Sequence, residues 1–293
     1  MASVPPPVAY PHPGAPPPLP ERPEELGPPA PRWPAWTAPV ALVAGFAVAV
    51  FGYLVIGIVA GVFGADFDDP PAGVKISATV VQDAALIASA LVFARLVARP
   101  RAWQFGLRRT RLWPAVGWLL LAWLGFIVFS GIWVEALDLQ RNDDLPDDLG
   151  ADESTVALIA VALLVTVVAP IAEEFFFRGY FFSALRSWRG PWVAAVLTGL
   201  TFGAIHFGSA PAGYVVPLAI FGFALCLLYW RTRSLYPCIV LHAFNNSLAF
   251  GVTQDWDWQI PLLMVGANLV IAACVLPFAR RDGSATADPF AAA

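Results

Sequence analysis

Charge is scarce in this chain. Asp, Glu, Lys and Arg make up 13% of its 293 residues, against 58% hydrophobic residues. A water-soluble domain of this length cannot hide so much apolar surface, because surface falls too slowly relative to volume as a protein grows. Cysteine is also rare. Cys226, Cys238 and Cys274 lie in apolar runs without C-x-x-C spacing. That pattern excludes a disulfide framework and suits small hydrophobes in packed or lipid-facing positions. No basic stripe is present and the net charge is −4, which argues against nucleic-acid binding. The H-E-x-x-H helix of soluble zinc proteases is missing, and no Ser or Cys nucleophile has a matching triad acid. No internal repeat is visible.

What is there begins with proline. Residues 1–36 do not read as a signal peptide; they contain Pro16-Pro17-Pro18 and Pro28-Pro29 and predict a disordered or polyproline II tail. Eight apolar blocks follow, at about 37–64, 77–98, 112–136, 154–188, 191–207, 213–230, 235–252 and 259–279. Most approach or exceed the roughly 20 residues that a helix needs to cross a bilayer. The runs are long and lack barrel-like alternation, so they predict helices. The expected fold is therefore all-α, a polytopic membrane bundle of about eight transmembrane helices. The expected divisions are a tail at 1–36, three helices over 37–153, a core at 154–252, and a last helix with a short tail at 253–293.

The loop charges alternate in step with this count. Arg99, Arg101, Arg108, Arg109, Arg111, Arg186, Arg189, Arg231, Arg233, Arg280 and Arg281 fall on one side. Asp66, Asp68, Asp69, Asp143, Asp144, Asp147, Asp148, Asp255 and Asp257 fall on the other, with Lys75 and Arg141. The positive-inside rule then places both termini in the cytoplasm. The segment Arg101–Arg111, with Trp103, Phe105 and Leu107, reads as a topological anchor or short interfacial helix with snorkelling arginines.

Ionisable groups inside a membrane are costly and need a reason. Block four carries Ala172-Glu173-Glu174-Phe175-Phe176-Phe177-Arg178. Glu174 and Arg178 stand at i, i+4 and are placed to pair. Glu173 points about 100° away and needs another partner. Block five carries Phe202 and His206 on one face, and block seven carries His242 and Asn246 on one face. Helical rise places Glu173 about 20 Å above Arg186, His206 about 22 Å above Pro191, and His242 and Asn246 about 14 and 20 Å above Arg233. Three helices thus bring polar groups to similar depth. Block four would be about 52 Å long as one helix. That exceeds the bilayer, and Pro170 offers a kink. Two histidines and a carboxylate can also ligate zinc, so a metal stays open at this point.

Glu173-Glu174-x-x-x-Arg178, Phe202-x-x-x-His206 and His242-x-x-x-Asn246, in this order on successive apolar helices, resemble the CPBP family. That family groups type II CAAX prenyl endopeptidases with bacteriocin-processing and immunity-related membrane proteins. The resemblance covers roughly residues 155–250. It implies an intramembrane endopeptidase acting on a membrane-associated protein or peptide. It further implies Glu173 as the base that activates water, His206 holding that water, and His242 and Asn246 binding the oxyanion, with Glu174, Arg178 and Phe202 in support. The cofactor expectation is none, or zinc held by Glu173, His206 and His242. A multi-pass cell-membrane location follows, and the Ala-, Pro- and Arg-rich composition points to a bacterial inner membrane. Two other readings compete: a proton-coupled transporter, whose relay would include Gln82 and Asp83, and a non-catalytic membrane adaptor.

Overall fold

The computed structural model describes residues 33–66, 68–139 and 145–278. Of the tail expected over residues 1–36, residues 1–32 lie outside the described residues, as do Arg141, Asp143, Asp144, Arg280 and Arg281, while residues 33–36 are described and Trp33 is buried. Among the described residues the ladder elements are all helical. They are α1 (Thr37–Val62), α2 (Ala72–Val97), α3 (Leu112–Ala136), α4 (Leu145–Asp148), α5 (Thr155–Leu163), α6 (Ala169–Glu174), α7 (Ser183–Ile205), α8 (Val215–Thr232), α9 (Tyr236–Thr253) and α10 (Gln259–Val275). Two π-helical turns, Leu164–Val168 and Phe175–Phe182, join α5, α6 and the part of α7 before Gly190 into one rod.

Among the described residues, six stretches are long and apolar enough to cross a membrane: Thr37–Val62, Ala72–Val97, Leu112–Ala136, Thr155–Ile205, Ala212–Thr232 and Gln259–Phe278. The sequence predicts about eight, and two features account for the difference. Thr155–Ile205 contains two of the expected blocks. They part at Gly190, whose φ of 78° and ψ of 177° interrupt α7. Pro191 disfavours helix at the residue before it, and glycine tolerates positive φ. The other feature is α9. Its His242, Asn245 and Asn246 make it more polar than the six stretches above, although it is flanked by α3, α6, α8 and α10.

Burial separates core from periphery. Within their most apolar windows, α1 and α3 are 11% buried and α10 is 17%, whereas Thr155–Ile205 is 44% and Ala212–Thr232 is 39%. The first group turns large side chains such as Val43, Phe51, Leu121 and Leu269 outward, as lipid-facing helices do. The second group is packed by other helices, and every motif residue sits on it, at its rim or on α9.

The α7–α8 contact is close because glycine lines it. A Cβ added at Gly199 would stand 2.6 Å from the Ala219 carbonyl oxygen, and one at Gly203 would stand 2.5 Å from that of Val215. Gly199 and Gly203 form the small-xxx-small spacing that lets membrane helices approach backbone to backbone.

Loop contacts gather the helix ends into two groups. At one end Ser234 donates to the Arg108 carbonyl at 2.7 Å, Leu235 N–H donates to the Gly106 carbonyl at 2.9 Å, and Ser187 donates to the Trp33 carbonyl at 3.2 Å. At the other, Ala72 N–H donates to Glu153 at 2.9 Å, and Gln254 lies 3.5 Å from Asp147. The segment after α2 packs into the bundle through Phe105. It forms a short 3-10 turn, Ala102–Phe105, closed by left-handed Gly106. Phe105 is buried, stacked on Trp33 at 4.9 Å and on Phe175 at 4.6 Å. Phe105 can sink this deep because Gly179, on the second π turn, has no side chain; a Cβ there would lie 3.0 Å from the Phe105 carbonyl oxygen. Trp33, ahead of α1, is likewise in the core.

Candidate active site

Glu174 and Arg178 pair as their i, i+4 spacing predicts. Arg178 Nη1 donates to Glu174 Oε1 at 2.8 Å, and both side chains are fully buried. The guanidinium is used on several faces. Its Nη2 donates to the Gly222 carbonyl at 2.9 Å, and its carbon stands 4.7 Å from the centre of the Phe202 ring. A buried cation needs this many partners to offset desolvation.

The sequence did not foretell that Glu174 also holds His242. The His242 Nδ1 lies 2.8 Å from Glu174 Oε1, so one carboxylate oxygen accepts from both the arginine and the imidazole. A carboxylate oxygen can only accept when ionised, which makes His242 Nδ1 the protonated nitrogen. Nε2 then points the other way, 3.9 Å from Glu173 Oε2. That distance is too long for a hydrogen bond. Glu173 Oε2 is buried without a hydrogen-bond partner, and the same side chain keeps 16% of its surface exposed. Glu173 therefore stands apart from the Glu174–Arg178 pair, as its angle on the helix predicts.

Phe202 joins the two histidines. Its ring centre is 4.8 Å from that of His206 and 5.9 Å from that of His242. Phe221, not expected from sequence, meets His242 edge-on at 5.5 Å. His206 caps α7 and is half-buried; its Nδ1 donates to the Phe202 carbonyl at 2.7 Å. With Nδ1 carrying that proton, a neutral His206 offers Nε2 as an acceptor.

Asn246 is held by the backbone. Its Nδ2 donates to the Val165 carbonyl at 3.0 Å. The reason lies in the π turn. Ala169 N–H bonds the Leu164 carbonyl, five residues back. In the same register the Val165 carbonyl faces the nitrogen of Pro170, which has no hydrogen. Asn246 supplies the missing donor, and its second amide hydrogen remains. Pro170 is thus absorbed by a widened turn, not by a sharp kink.

Among the described residues, no group of three or more His, Cys, Asp and Glu side chains is arranged to hold a metal ion. Cys226 and Cys238 are buried and free, and Cys274 is free and exposed on α10.

These features define a multi-pass, all-helical membrane protein whose core encloses two glutamates, an arginine and a histidine in direct or near contact. Residues 155–248 match the family model for type II CAAX prenyl endopeptidase Rce1-like proteins. The chain is also 27% identical over 152 residues to the uncharacterized protein YyaK of Bacillus subtilis (strain 168), a match covering 43% of this chain and 50% of YyaK. It thus spans about half the length of that curated relative. No solved structure matches the chain.

Proposed function

We propose that the protein is an intramembrane endopeptidase that hydrolyses a peptide bond of a membrane-associated protein or peptide with water activated by Glu173. The observation that carries this reading is the gap between Glu173 Oε2, which is buried without a hydrogen-bond partner, and His242 Nε2, 3.9 Å away and too far for a hydrogen bond. A water set off the line joining them reaches both at about 2.8 Å. The Rce1-like match supports the peptidase class.

The steps follow from the proton positions. Glu173 takes a proton as the water oxygen bonds to the scissile carbonyl carbon. His206 Nε2 helps to orient that water. The carbonyl oxygen becomes an oxyanion, which needs donors aimed at it. His242 donates from Nε2, with its ring held in place by the Nδ1 bond to Glu174, which Arg178 anchors in turn. Asn246 offers its second amide hydrogen. As the C–N bond breaks, the proton passes from Glu173 to the departing amine. No step runs through a metal ion.

The test compares new peptide termini in membranes containing wild-type protein or Glu173→Ala at matched, folded levels. Purified wild-type protein is then given the candidate substrates. Termini that disappear in the variant and reappear with purified wild-type protein support the reading; cleavage by folded Glu173→Ala overturns it. One observation favours a second reading. Asp83 lies buried near Glu173, as a proton relay would require. Proton-coupled flux in vesicles without any cleavage would select the transporter.

A further inference from the structure

A groove between α1 and α2 lies outside the candidate active site and outside the Rce1-like match. Its volume is about 340 Å³, within the roughly 300–1,000 Å³ of ligand pockets. α1 and α2 meet closely beside it. A Cβ at Gly52 would stand 2.5 Å from Val81 Cγ1, and one at Gly45 would stand 3.1 Å from Ser89 Oγ. Phe46, Ala49, Val50 and Tyr53 of α1 form one wall of the groove. Their i, i+3, i+4, i+7 spacing makes a single face, apolar except for the Tyr53 phenol. Lys75, Thr79 and Gln82 of α2 form the facing wall at i, i+4, i+7, and that wall is polar. Asp148 of α4 stands at the mouth.

Two of these residues are out of place for a lipid-facing cleft. Lys75 is the only lysine in the sequence, and it sits at the acidic end of the bundle, among Asp66, Asp69, Asp147 and Asp148. Among the described residues its ammonium meets one carboxylate, Asp69 at 3.5 Å, whose side chain is 89% exposed. A long, solvated pair of this kind contributes little, and an ammonium has three N–H donors, so donors remain for a ligand. Gln82 lies inside the apolar run of α2, where an unpaired amide is costly. Among the described residues its side chain has no hydrogen-bond partner, and it borders the groove. Side chains on a helix lean toward its N-terminus, which here is the acidic end. Lys75 and Gln82 therefore both reach up the groove, from backbone positions about 10 Å apart along the axis.

A ligand complementary to these walls has apolar chains for α1, an acceptor for Gln82, an anion for Lys75 and a cation for Asp148. A diacyl phospholipid with a phosphoethanolamine headgroup supplies all four. A choline headgroup has the cation but no N–H to donate. A glycerol headgroup lacks the cation and would bring a net anion to an acidic rim. We propose that the groove binds one phosphoethanolamine lipid. Its phosphate meets Lys75, its ammonium meets Asp148, an ester carbonyl accepts from Gln82, and its acyl chains run along Phe46, Ala49 and Val50. This inference does not depend on the peptidase reading.

Native mass spectrometry of the purified, delipidated full chain tests it by titration with phosphatidylethanolamine, phosphatidylcholine and phosphatidylglycerol of identical acyl chains. Wild type should bind one phosphatidylethanolamine about tenfold more tightly than either of the others, the scale of one hydrogen bond between charged groups. Lys75→Gln should weaken that binding about tenfold. Asp148→Asn should remove the preference over phosphatidylglycerol. Val50→Trp fills the groove without touching a charge and should weaken all three lipids. Each variant is compared at wild-type helix content in lipid-free micelles. Equal affinity of wild type for the three lipids overturns the proposal without any variant. Unchanged phosphatidylethanolamine binding in Lys75→Gln or Val50→Trp overturns it as well, and a preference that survives Asp148→Asn overturns the assignment of the headgroup.

Discussion

Glu174 Oε1 receives two bonds of 2.8 Å, one from a permanent cation and one from an imidazole. Removing either donor leaves a charged oxygen deep in the bundle, whereas removing Glu174 and Arg178 together leaves none. Arg178→Met should accordingly destabilise the bundle by about 3–5 kcal/mol. Glu174→Gln combined with Arg178→Met should cost less than the sum of the separate changes. Reversible unfolding in mixed micelles measures both. The same geometry sets the division of labour between adjacent glutamates. Glu174 is closed off and structural in its contacts, while Glu173 retains an exposed edge and an unpartnered oxygen. Adjacent positions on a helix differ by about 100°, so one faces α8 and α9 through Arg178 and His242 and the other faces the gap.

Two helical irregularities position the site at the scale of elements. Each π turn widens the rod beside the motif residues, as such turns often do at functional sites. The first frees the Val165 carbonyl for Asn246. Pro170→Ala restores a backbone donor at that point, which makes the Asn246 bond redundant for folding. Asn246→Ala should thus destabilise the wild-type bundle by about 1–3 kcal/mol, the cost of leaving a buried acceptor unsatisfied. It should destabilise the Pro170→Ala bundle much less. Hydrolysis should behave differently. If Asn246 also binds the oxyanion, its loss lowers the rate by about 10²–10³ in both backgrounds. A rate that recovers together with stability would assign Asn246 to structure alone. The α7–α8 seam gives a third prediction. Gly199→Val has no room beside the Ala219 carbonyl, so it should cost about 1–3 kcal/mol by overpacking. It should also reduce hydrolysis, because α7 carries Phe202 and His206 and α8 carries the Gly222 carbonyl that anchors Arg178.

For the whole molecule, the two clusters of loops carry opposite charge. Arg101, Arg108, Arg109, Arg111, Arg186, Arg189 and Arg231 lie at the end where the Arg108–Ser234 contact is made, and Asp66, Asp68, Asp69, Asp147 and Asp255 lie at the end of the Glu153–Ala72 contact. From the positive-inside rule we propose that the first end is cytoplasmic. Single cysteines placed at Arg109 and Arg231, in a chain lacking its own cysteines, should react with an impermeant thiol reagent only from the cytoplasmic face. Cysteines at Asp68 and Asp255 should react only from the opposite face. Labelling of Arg231 and Asp68 from the same side would break this topology and the expected count of spans.

Much of the molecule was legible in the sequence because the bilayer imposes one simple condition. Long apolar runs must become helices that satisfy their own backbone, and every buried charge must find a partner. Composition and run length therefore determined the membrane class and the helical fold. The i, i+4 spacings determined the Glu174–Arg178 pair, the separation of Glu173 and the shared faces of Phe202 with His206. The tertiary structure alone decided which oxygen meets which nitrogen. That Glu174 accepts from His242, that Phe221 closes on the imidazole, and that Asn246 replaces the hydrogen missing from Pro170 all depend on contacts between helices distant in sequence. Helical periodicity specifies the face on which a residue lies, but the rotation, depth and approach of the neighbouring helix come from packing. Here glycine seams and widened turns set that packing.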